Sequence, residues 1–131
     1  MKYDRLTRLV KFDVGGVEYA ARLTNGMLEQ IEDLCPQNSL MRVLENVEYT
    51  PRKVLRVAFC LALSKDGEKV KNPVSVFDKY FEEVGVEGVI QTFSAMIAAS
   101  NYLGVTQSKT ILESLALVVK DKETDDTEKN A

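Results

Sequence analysis

Few side chains in this chain have the types and spacing that chemistry needs. Two cysteines, Cys35 and Cys60, stand far apart, and there is no histidine among the 131 residues. Neither a zinc-ligand spacing nor a Cys–His nucleophile pair can be written from them. Both read as small core residues, and a reducing cytosol argues against a disulfide between them. The carboxylates close enough to share acid–base work are Glu29, Glu32 and Asp33, and the pair Glu82 and Glu83. Each falls on the polar side of an amphipathic pattern with no neighbour in sequence to perturb it, so they read as solvated helix surface. Gly15-Gly16 looks like the start of a phosphate-cradling loop. No third glycine follows at the required distance, and the flanks alternate as strands do.

Two basic clusters remain, Arg5, Arg8 and Lys11 near the start and Arg52, Lys53 and Arg56 further on. A helix that reads a DNA groove would use such residues, so a small helical DNA-binding regulatory domain is the alternative function. Against it, positive charge at a helix start opposes the macrodipole, and a net charge of −3 gives no long-range pull toward phosphate. A protein-facing or solvated patch is the preferred reading. No catalytic residue, metal ligand or cofactor is assigned, and the expected role is to bind another protein without catalysing a reaction.

The candidate for that binding is a stripe of Ile111, Leu112, Leu115, Val118 and Val119, which recur at helical spacing just before a run of charged residues. A stripe of this kind is either core or a docking surface for a partner helix or a sister subunit.

The elements that must position these residues follow from periodicity. Pairing Val14 with Val17 around Gly15-Gly16 sets Phe12 opposite Tyr19, Val10 opposite Ala21 and Arg8 opposite Leu23, which predicts an N-terminal β-hairpin with one apolar face. Asp13 opposite Glu18 is a like-charge pair on the other face. From Thr24, a capping residue, the period becomes helical, with Met27, Leu28, Ile31, Leu34 and Cys35 on one side until Pro36. A short helix bearing Leu40, Met41, Leu44 and Val47 comes next. Thr50-Pro51 then caps a third helix, apolar almost all round over 54–63, which Ser64-Lys65-Asp66-Gly67 breaks. Asn72-Pro73 opens a fourth with Val74, Phe77, Tyr80, Phe81 and Val84 inward, ended by Gly85. A fifth runs from about Glu87 to Gly104, and Thr106 or Ser108 opens the last.

The expected fold class is thus α+β: an N-terminal β-hairpin followed by five or six α-helices in one mostly helical domain over 1–120. Residues 121–131 form a charged tail expected to be disordered. No apolar run approaches the roughly 20 residues that span a bilayer, and the N-terminus lacks a signal-peptide core, so a cytoplasmic location is expected.

The segment Phe12-Asp13-Val14-Gly15-Gly16-Val17, followed by Arg22-Leu23-Thr24 and a helix entered through Gly26-Met27-Leu28-Glu29, resembles the tail assembly chaperones of long-tailed bacteriophages and of related gene-transfer particles. The likeness extends over residues 12 to about 104, with the helices over 51–63 and 86–104 in the family's order. It implies a non-catalytic protein that coats the tape measure protein, keeps its long hydrophobic helices soluble and helps recruit tail tube subunits. It also implies action in the cytoplasm of the bacterial host, outside the mature virion, and a short and a frameshifted long form of the chain. Glu128-Lys129-Asn130 can be spelled with a slippery codon run that would serve such a frameshift.

Overall fold

The computed structural model describes residues 1–119 and arranges them as strands β1 (Lys2–Asp4), β2 (Leu9–Val14) and β3 (Val17–Ala21), helices α1 (Asn25–Glu32), α2 (Leu40–Glu45) and α3 (Arg52–Ala62), strands β4 (Leu63–Lys65) and β5 (Glu68–Lys69), and helices α4 (Pro73–Ala99) and α5 (Val105–Ser114). The expected charged tail and the slippery run at Glu128-Lys129-Asn130 lie outside the described residues.

Gly15 and Gly16 take φ values of +58° and +78°, the left-handed pair that a two-residue turn needs between right-twisted strands. The register around them is Val14 with Val17, Phe12 with Tyr19 and Val10 with Ala21. Beyond this pairing the expected lone N-terminal hairpin is overturned. β2 and β3 belong to a five-stranded antiparallel sheet in the order β1-β2-β3-β4-β5.

Two local devices add the outer strands. On one side the Asp4 carboxylate accepts hydrogen bonds from the backbone N–H of Leu6 at 3.0 Å and of Thr7 at 3.4 Å, folding a turn that lays β1 beside β2. The Leu6 bond leads in holding the Asp4 carboxyl below its ordinary pKa. Arg8 closes this turn at φ +60°, so it leaves the ladder and does not face Leu23. On the other side α3 ends at Ala62, and Leu63 takes an extended ψ of 131°. β4 then pairs Leu63 with Ala21 and Ser64 with Ala20. Asp66 and Gly67, both at positive φ, turn the chain into β5. The stretch expected as a helix break is therefore a second, short hairpin.

The helices follow their caps. Thr24 accepts from the Met27 N–H at the start of α1, and Ser39 from the Arg42 N–H at the start of α2. Thr50 does not cap α3. Its hydroxyl donates to the Val47 carbonyl instead, and Pro51 stands at the cap position. The span α4 is two helical runs meeting at Gly85, whose non-helical φ of 74° and ψ of 176° end the first run where the sequence reading ended it. Val84 folds over Gly88, where an added Cβ would lie 2.6 Å from the Val84 Cβ. Thr92 Oγ1 donates to the Gly88 carbonyl at 3.1 Å, so the Tyr80 hydroxyl supplies the proton of its 2.7 Å bond to Thr92 Oγ1. That bond ties the two halves of α4 across the kink. The second half stops at Ala99, not at Gly104.

One core joins sheet and helices. Val10, Phe12, Val14 and Ala21 from the inner face of the sheet are buried against Phe59 of α3 and Phe77 and Tyr80 of α4. The Phe12 ring meets Phe59 edge-on at 5.8 Å and Tyr80 at 4.7 Å. Ile31, Leu40, Val54, Leu55, Phe93, Met96 and Ile97 continue this core among the helices.

Candidate functional site

α5 grows from Gly104, which takes φ +89° and offers no side chain to cap the first turn, so neither Thr106 nor Ser108 opens the helix. Its first-turn N–H groups have no side-chain cap among the described residues, and no acidic residue stands in that turn to offset the positive end of the helix dipole. The far end closes with the Ala116 N–H bonded to the Glu113 carbonyl at 3.0 Å and the Leu117 N–H to the Leu112 carbonyl at 2.9 Å. These are the paired bonds of a Schellman cap, and Ala116 occupies its left-handed position at φ +59°, where glycine is usual.

This cap divides the predicted stripe. Leu112 is core, 5% exposed. Ile111 is half-buried and lines a small apolar cavity with Leu44, Val47, Ile97 and Leu103. Leu115, the residue at the cap, packs partly buried against the core, as does Leu117, which the periodicity passed over. Val118 and Val119 follow the left-handed residue and are no longer on the helix face. They line a cleft of about 390 Å³ between the β1 end of the sheet and α5, where Leu112 forms part of the wall. So the structure brings together Leu112, Val118 and Val119, and places Ile111 and Leu115 elsewhere.

The remaining walls come from residues that sequence reasoning did not connect with the stripe: Tyr3 and Arg5 from the sheet side, and Asn101, Val105, Ser108 and Lys109 around the start of α5. Val105 is 73% and Val119 80% exposed, so the rim of the cleft carries uncovered apolar surface. Ser108 is 2% exposed, and its hydroxyl has no hydrogen-bond partner among the described residues. Lys109 reaches Glu113 at 4.0 Å along the helix. Arg5 was legible as a basic residue, but nothing in the sequence ties it to a helix a hundred residues away.

The other chemistry-bearing groups are engaged structurally. Cys35 is buried and its thiol donates to the Ile31 carbonyl at 3.3 Å. Cys60 is a free, partly buried thiol. Burial pushes both thiols above their ordinary pKa, which keeps them protonated and weakly nucleophilic at neutral pH. Glu83, expected as solvated helix surface, accepts the Gly15 N–H at 2.7 Å, and Lys79 packs where a Cβ on Gly15 would stand. The glycine turn therefore docks on α4. Glu32 accepts a long bond of 3.4 Å from the Tyr102 hydroxyl. Arg52 lies 4.3 Å from the centre of the Phe81 ring and 3.6 Å from Asp78, whose carboxylate partly offsets its charge on the exposed start of α3.

Among the described residues no group of three or more Cys, Asp and Glu side chains converges as a metal site would require, and no helix is long and apolar enough to cross a membrane. No family model, curated protein or solved structure matches the chain.

Proposed function

We propose that this chain is a non-catalytic assembly chaperone that takes an apolar helical segment of a partner protein into the cleft between β1 and α5. The observation that carries this reading is the uncovered pair Val105 and Val119 on the rim, with Val118 and Leu112 behind them. Single exposed apolar residues are ordinary on a folded surface, whereas several around one concavity are what a protein-binding site requires.

The sequence resemblance over residues 12 to about 104 supports a particular partner: a phage tape measure protein, with tail tube subunits recruited later, in the cytoplasm of a bacterial host. Gly15, Gly16 and the Thr24 cap, which carry that resemblance, are the turn and cap positions of the sheet and α1. The DNA-binding alternative loses support from Arg52, which lies on Phe81 and Asp78.

The test is co-expression with a tape measure protein, followed by co-purification. Val105→Glu and Val119→Glu together place charge on exposed rim positions and should abolish co-purification while leaving the circular dichroism spectrum and thermal midpoint unchanged. A folded double variant that still carries the partner at the wild-type ratio would refute the cleft as the binding surface. Self-association of the wild-type chain that the same double variant abolishes would redirect the reading to a sister subunit.

A further inference from the structure

We propose that the floor of this cleft is a carboxylate site, so that the docked partner segment carries an acidic side chain among its apolar residues, received by Ser108 and Arg5 at the first turn of α5. The inference rests on the cleft being the binding surface and adds what that surface selects.

Three independent features converge there. Ser108 lines the cleft, is 2% exposed and leaves its hydroxyl without a partner among the described residues. A buried hydroxyl in that condition is destabilising, and folded proteins rarely keep one unless something else completes it. Arg5 lines the same cleft and makes no ion pair with the described residues, which leaves a planar guanidinium suited to a carboxylate. α5 begins at a glycine with no side-chain cap, so the positive end of its dipole lies beside Val105 and Ser108. Asn101 adds an amide at the same end.

The walls decide which anion. Val105, Leu112 and Val118 are aliphatic and suit the methylene stem of a glutamate, with the carboxylate reaching the polar floor. A bare phosphate would place its hydration shell against these side chains. Charge complementarity therefore commits the site to an acidic side chain within an apolar segment.

Synthetic peptides test this on the full-length chain. The probe is an acetylated and amidated amphipathic helix of about 18 residues, or about five turns, rich in leucine and alanine with one glutamate on its apolar border. Its control replaces that glutamate by glutamine. Binding is measured by titration calorimetry and located by amide chemical shifts.

The expected result is that the glutamate peptide binds at least about tenfold more tightly than the glutamine peptide, the loss typical of a charge-assisted hydrogen bond. Amide shifts should centre on residues 101–112. Arg5→Gln and Ser108→Ala should each erase that preference, bringing the affinity for the glutamate peptide down to that for the glutamine peptide. Ser108→Ala should also raise the thermal midpoint, because it deletes the unpaired hydroxyl. A purely structural serine would not couple stability and selectivity in opposite directions.

Equal affinity for the two peptides with shifts at the cleft would overturn the carboxylate site and leave the docking surface standing. Binding of neither peptide, or shifts confined to another face, would overturn both. Neutralising the acidic residues at 121, 123, 125, 126 and 128 gives the last arm. If that change, and not added peptide, moves the Ser108 and Arg5 signals, the occupant is the chain's own terminus and the partner proposal is wrong.

Discussion

Truncating Phe12 to alanine tests how the sheet is fastened to the helices. The side chain is 4% exposed and its ring contacts Phe59 of α3 at 5.8 Å and Tyr80 of α4 at 4.7 Å. Removing a buried phenylalanine usually costs about 3–5 kcal/mol, from lost transfer energy and the cavity left behind. Each aromatic pair adds about 0.5–1.5 kcal/mol beyond its area, and two are lost here, so the expectation is the upper part of that range, about 4–5 kcal/mol. A domain of this size is stable by about 5–15 kcal/mol, so the change removes a large share of the total. Urea titration followed by circular dichroism at 222 nm reads it, with the slope of free energy on urea expected to stay constant.

Asp13→Ala is the matched control. Asp13 is next in sequence but exposed on the opposite face, paired with Glu18, and its removal relieves a like-charge contact. It should change stability by less than about 0.5 kcal/mol, in the stabilising direction. The register argument fails if Phe12→Ala costs under about 1 kcal/mol or if the two variants lose stability equally, because a one-residue slip would exchange their faces.

Further outcomes follow from single positions. Ala116→Gly should stabilise by about 0.5–1 kcal/mol in thermal or urea unfolding, since the left-handed penalty of about 1–2 kcal/mol exceeds glycine's entropic cost of about 0.5–1 kcal/mol. Gly85→Ala should destabilise by about 1–3 kcal/mol in the same assay, because its φ of 74° with ψ of 176° is open to glycine and strained for alanine. Tyr80 gives a pH signature: burial, the leading cause, raises its hydroxyl above the usual value of 10.0. The unfolded chain then loses this proton first, so the contribution is whole below pH 10.0 and is lost as pH climbs through the raised folded value. Tyr80→Phe should flatten that alkaline loss, and should cost about 1 kcal/mol at neutral pH through the missing bond to Thr92.

Where the sequence carried repeated physical instructions, its reading and the structure agree. Over Leu9–Val14 and Val17–Ala21, alternation on both sides of a glycine pair leaves one register that buries Val10, Phe12 and Ala21, and that register is present. The outer strands were not legible by the same means. β1 has three residues and β5 two, too few to display a period of two. Asp66-Gly67 did carry a hairpin signal, but Leu63 continues the apolar run of α3 and masks the change from helix to strand.

The candidate site failed in a different way. The apolar spacing continues through Val118 and Val119, yet the backbone reverses at Ala116, and no glycine or proline marks that reversal. What the sequence could not bring together was Arg5 with Ser108, whose proximity depends on the sheet and α5 both being in place.

The pairing of Ala21 with Leu63 has a consequence for how the chain assembles in time. The partners are 63 − 21 = 42 positions apart, whereas the turn at Gly15 and Gly16 joins immediate neighbours. Closing the longer loop carries an entropic cost that the local hairpin avoids, so β2 and β3 can meet early and β4 must wait until α1, α2 and α3 are laid down. The sheet is therefore a seam, sewn from two stretches of chain with the helical excursion held between them. A nick in the turn at Gln37 and Asn38 would leave β1, β2 and β3 on one fragment and β4 and β5 on the other. Mixing the separated fragments should restore the native circular dichroism spectrum, with recovery slowing on dilution as a two-body step requires.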